Sequence, residues 1–136
     1  MTDPARPAAP PPPPRRRRAA AAFAVLLLLW TAGLLTPLSV TQEASRQLGE
    51  PETSFYLSKL LHLGGYGFLA WLAGFVFATR AGAWGLLLLL AAHAGATEYL
   101  QQFVGRGTSL KDVGLDLAGV ALGVAANYRR WAVLVS

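Results

Sequence analysis

Nine side chains have types and spacings that could do chemistry together: Lys59, His62, Tyr66, Glu98, Gln101, Arg106, Ser109, Asp112 and Asp116. An imidazole beside carboxylates suits general acid–base work. Cations oriented by carboxylates suit capture of an anion. Lys59, His62 and Tyr66 fall at i, i+3 and i+7, and Glu98 and Gln101 are three apart. Asp112, Asp116, Gly119 and Gly123 follow at four, three and four. Each set therefore marks one face of a helix. The chain has no cysteine, which excludes disulfides, thiolate nucleophiles and cysteine-based metal sites. His62 among carboxylates could ligate zinc, but no His-x-x-x-His pair supports it, so no metal is expected. A phosphate-cradling glycine loop is also missing, which argues against an NTPase. No haem, flavin or nicotinamide signature is present, and no cofactor is expected.

The elements that must position these residues are apolar. The chain has 136 residues, 54% hydrophobic and 14% charged, with a mean hydropathy of +0.40. A soluble domain usually has about a quarter charged residues. Five of the twelve basic residues and seven of the nine prolines lie in the first 18 positions. Residues 1–18 read as a disordered, proline- and arginine-rich tail, since proline runs favour extended backbone and build no core. Beyond them, four apolar runs predict helices over about 19–42, 55–79, 83–104 and 113–128. About 20 apolar residues span the hydrocarbon core of a bilayer. The first run is too long for a signal peptide and has no nearby cleavage site, so it reads as an anchor. Pro37 sits near its far end, where a kink is tolerated.

The fold class expected is therefore all-α: a polytopic membrane four-helix bundle over residues 19–136. Four spans place both termini on one side. The tail, the turn at Arg80 and the pair Arg129 and Arg130 together hold eight basic residues; Arg46, Lys59, Arg106 and Lys111 lie opposite. The positive-inside rule then puts both ends in the cytoplasm. The net charge of +5 is read as membrane topology rather than as a nucleic-acid surface, because the basic residues flank apolar spans. With this topology all nine candidate residues gather toward the extracytoplasmic end. An ionisable group at the centre of a spanning helix costs about 2.5–3.5 kcal/mol, so mutual pairing around a polar pocket is the economical arrangement.

These residues also match a family pattern. SKLLHLGGY from Ser58 and EYLQQFVGRGTSLKDVGLDLAGVALG from Glu98 resemble the VanZ-like membrane proteins, which are associated with glycopeptide (teicoplanin) resistance. In that family a K-x-x-H-x-x-x-Y stretch opens one helix and E-x-x-Q closes the next. G-R-x-x-S-x-x-D and an acid or amide followed by two glycines come after. The resemblance covers about residues 20–128. Ser58 stands where the family has an acid, the proline before Gly105 is missing, and Asp116 stands where asparagine is common. The resemblance implies a bacterial cytoplasmic (inner) membrane protein with an envelope-related role and reduced lipoglycopeptide sensitivity. It brings no established reaction.

Three readings of the cluster stand side by side. It could bind an anionic amphiphile or lipid-linked envelope ligand, with Arg106 and Lys59 holding the anion, the three carboxylates orienting those cations, and His62 and Gln101 donating hydrogen bonds. It could serve a small intramembrane enzyme through His62 with Glu98 or Asp112. It could be a structural network that locks four small helices together. Gly119 and Gly123 form a close-packing face, expected inside the bundle. His93 precedes Glu98 by five residues, about 140° round a helix, and is expected to face away from the cluster. Trp30, Trp71, Trp84 and Trp131 are expected as interface anchors or packing.

Overall fold

The structure is a computed structural model and describes residues 13–37, 39, 43 and 51–135. The expected disorder of the first twelve residues, and most of the polar connection at 38–50, lie outside the described residues. Within them the chain is all-helical, with no strand.

Helix α1 covers Pro14–Leu34, so the four arginines form its opening turn rather than the end of a disordered tail. Proline at the first helical position has a preset φ and lacks only an N–H that would be unpaired anyway. Arginine and alanine then propagate the helix well. The helix stops at Leu34, before Pro37, which therefore lies beyond α1 and does not kink it. Helix α2 covers Pro51–Ala73 and also opens on a proline. Helix α3, Arg80–Gln101, is capped by the Thr79 hydroxyl, which accepts from the Gly82 amide at 3.2 Å. It runs into a 3-10 turn, Gln102–Val104, that ends at Gly105 with φ 75°. Only glycine adopts that conformation without steric cost, and the Arg106 amide closes the turn on the Gln101 carbonyl at 3.0 Å. Helix α4, Leu110–Ala126, is capped by Ser109, with Asp112 in its first turn where an acid complements the helix dipole. A short helix α5, Tyr128–Val135, follows after Asn127 and had no counterpart in the sequence reading.

All four long helices begin three to five residues before their apolar runs do. Apolar runs mark what is buried or lipid-compatible, whereas helix starts are set by caps and prolines outside those runs. By length and composition, α1 is the one described helix apolar enough to cross a membrane. Lys59 and Glu52 interrupt α2, polar residues fill the end of α3, and α4 has only 17 residues.

Successive long helices run in opposite directions. One end gathers Lys59 of α2, Leu34 of α1, Glu98 of α3 and Asp112 of α4. The other gathers Arg16, the loop after α2, Asn127 and Arg130. The tightest packing is α4 on α2. A Cβ on Gly119 would collide with the Leu63 carbonyl, and one on Gly123 with the Gly67 carbonyl, so the two backbones approach as only glycines permit. An apolar core that includes Phe23, Tyr66, Leu69, Leu86, Leu90 and Trp131 is buried between the helices, and polar side chains are buried beside it. His62, Thr97, Glu98, Gln101, Asp112 and Asp116 are buried, while Leu28, Leu60 and Leu88, each more than 60% exposed, face outward.

Candidate functional site

The polar side chains form two tiers. The inner tier lies among α1, α2, α3 and α4. His62 donates from Nδ1 to Asp116 Oδ1 at 2.8 Å, with both side chains almost wholly buried. One turn further along α2, the Tyr66 hydroxyl lies 2.8 Å from His93 Nδ1 and 3.3 Å from Thr97 Oγ1. The other ring nitrogen, His93 Nε2, lies 2.8 Å from Thr31 Oγ1 on α1. Thr31 has one hydroxyl hydrogen and directs it to the Leu27 carbonyl at 2.7 Å. It therefore accepts from His93 Nε2–H, which leaves Nδ1 as acceptor for the Tyr66 hydroxyl. Trp30 sets its ring edge-on to both His62 and Tyr66, at centroid distances of 6.4 and 6.2 Å. It fills the space beside Gly65, where any Cβ would strike the indole.

The outer tier lies at the end of the helices. Lys59 pairs with Asp112, with side chains 28% and 13% exposed, and its ammonium sits 5.2 Å from the centre of the Phe55 ring. Glu98 Oε1 accepts from the Ser109 backbone amide, tying the end of α3 to the start of α4. The second oxygen, Glu98 Oε2, and the amide nitrogen Gln101 Nε2 are buried without a hydrogen-bond partner. An open cleft of about 650 Å³ runs beside the Lys59–Asp112 pair, lined by Phe55, Lys59, Ser109, Lys111, Asp112, Gly114 and Leu115. Its wall combines two cations and one acid with the apolar side chains of Phe55 and Leu115.

Several expectations are corrected here. Arg106 is not oriented by the carboxylates: its Nη1 donates to the Leu34 carbonyl at 3.4 Å, capping the end of α1. Gly105 turns the chain toward α1 at this point, while Glu98 and Asp116 are engaged by Ser109 and His62. Arg106 does not line the cleft, and Lys111, absent from the candidate set, does. His93 does not face away: it joins the cluster through Tyr66. Its angle was judged against Glu98 alone, yet His93, Thr97 and Gln101 stand at i, i+4 and i+8. That stripe was legible as one helix face. Thr31 carried no such signal, since a lone threonine in an apolar run looks like any other. Of the two roles expected for the tryptophans, Trp131, 2% exposed, takes packing.

Among the described residues no group of three or more His, Cys, Asp or Glu side chains converges to hold a metal ion. No protein-family model, curated protein or solved structure matches the chain.

Proposed function

We propose that this chain is a VanZ-like multi-pass protein of a bacterial cytoplasmic membrane, with both termini cytoplasmic. Its outer tier binds an anionic amphiphile or lipid-linked envelope ligand and lowers lipoglycopeptide sensitivity. The many large apolar side chains on the outside, together with the buried ionisable groups, support the membrane placement. Apolar side chains cover the outside of the helices, where in water so large a surface would drive association. The family reading rests on the order of the motifs in the sequence. The observation that carries the binding role is the cleft itself. Lys111, beside the Lys59–Asp112 pair, supplies charge for an anionic head, and Phe55 and Leu115 supply apolar wall for the adjoining chain.

The test is Lys111→Ala in the full chain expressed in its membrane. Normal abundance with altered lipoglycopeptide sensitivity is the expected result. Unaltered sensitivity together with normal abundance contradicts the binding role. Arg106→Ala, by removing a cap on α1, is expected to lower abundance instead.

One observation favours a second reading, a small intramembrane enzyme acting on a lipid-linked substrate. Asp116 holds His62 by Nδ1, which leaves Nε2 as the basic nitrogen, the logic by which a carboxylate orients a general base. In that reading Asp116 takes the orienting role, because Asp112 is engaged by Lys59. His62→Gln separates the two: total loss of effect at normal abundance supports chemistry, and graded loss supports binding.

A further inference from the structure

The opposite end of the molecule carries a second built arrangement. Beyond Ala73 the chain turns, with the Phe75 and Val76 amides bonding the Leu72 and Ala73 carbonyls. Two arginines from distant parts of the chain bond the carbonyls of this turn. Arg16 Nε donates to the Val76 carbonyl at 3.2 Å, and Arg130 Nε donates to the Gly74 carbonyl at 3.1 Å. Residues two apart are at most about 7 Å from each other along an extended backbone, so both guanidiniums dock on one short rim. Arg130 also sits over the Phe75 ring, with Cζ 4.4 Å from its centre, a cation–π contact that helps hold the guanidinium in place. Asn127 holds the same rim through the Trp71 carbonyl at 2.9 Å.

In both arginines the bond to the carbonyl uses Nε alone. The paired Nη groups, the fork that matches a phosphate, are not engaged by any carboxylate among the described residues. A bond to the carbonyl alone would need a single donor, and lysine would serve. Two forks held on one rim, with the exposed Arg15, Arg17 and Arg129 nearby, form a site with excess positive charge that wants an anion from outside.

We propose that Arg16 and Arg130 clamp the phosphate of an anionic phospholipid headgroup in the inner leaflet. This rests on the membrane reading above. The Nε bonds already hold the start of α1 and the short helix α5 against the loop after α2, which leaves the Nη groups for the phosphate.

The test uses the full chain purified in detergent, with retention of phosphatidylglycerol and phosphatidylcholine measured by native mass spectrometry. Wild type is expected to retain phosphatidylglycerol about tenfold better than phosphatidylcholine, and Arg16→Lys with Arg130→Lys to lose about that factor. Arg15→Lys, which keeps the clamp, is expected to change nothing. Undiminished retention in the double variant, or equal loss in Arg15→Lys, would overturn the clamp in favour of diffuse charge. Displacement of the lipid by an equal concentration of inorganic phosphate would overturn the lipid assignment. Should the double variant not fold, the two single variants take its place, each expected to lose about threefold. Failure of the membrane reading would show separately, as recovery of wild type in the soluble fraction before any lipid is added.

Discussion

The inner and outer tiers of the polar cluster use the same residue types for different ends. In the inner tier His62 pairs with Asp116, and Tyr66, His93 and Thr31 form a chain of donors that ends on a backbone carbonyl, with Trp30 Nε1 beside them buried and left unpartnered. The outer tier pairs Lys59 with Asp112 at a partly exposed site, leaves Glu98 Oε2 and Gln101 Nε2 unpaired, and opens on a cleft. A buried network is a means of holding helices in register. A partly exposed ion pair that lines a cleft is where a ligand has access. The difference separates a scaffold from a candidate site within a single run of motifs.

Substitutions can break that comparison, beginning with the scaffold. Gly123→Leu drives a side chain into the Gly67 carbonyl and is expected to cost about 3 kcal/mol or more, read as a large fall in melting temperature by circular dichroism in detergent. Asp116→Ala leaves the His62 Nδ1–H buried without an acceptor and is expected to cost about 3 kcal/mol, while Asp116→Asn, which still accepts, retains most of the stability. Tyr66→Phe removes the donor to His93 and is expected to cost about 1 kcal/mol by the same melting measurement. Lys111→Ala should change stability by less than about 0.5 kcal/mol, yet alter lipoglycopeptide sensitivity in cells. A Lys111 variant that unfolds, or a Tyr66 variant that alters sensitivity at unchanged stability, would erase the division between the tiers.

How much of this was legible in the sequence varies by residue. Four long helices and their faces followed from spacing, because burial repeats with helical period. Lys59, His62, Asp112 and Asp116 do converge, since their faces point inward together. The pairing within the cluster was not legible. Whether Arg106 meets a carboxylate or a helix end depends on the turn at Gly105, a tertiary fact. Helix starts were missed by a turn because Pro14, Pro51 and Ser109 act outside the apolar runs. Helix α5 was missed because eight residues of mixed character carry too little periodicity. Thr31 needed a partner on another helix to reveal it, whereas His93 was legible from its i, i+4, i+8 spacing with Thr97 and Gln101, a stripe missed by measuring from Glu98 alone.

The central claim is that the helices cross a membrane with the outer tier on the extracytoplasmic side. The absence of cysteine from the chain makes a direct measurement simple. Thr108→Cys lies in the exposed loop beside the cleft, and Ala78→Cys lies in the exposed loop at the opposite end. Intact cells treated with a membrane-impermeant maleimide should label the first at once, and the second only after permeabilisation. Labelling of Ala78→Cys with protection of Thr108→Cys, or equal labelling of both in intact cells, would contradict the account.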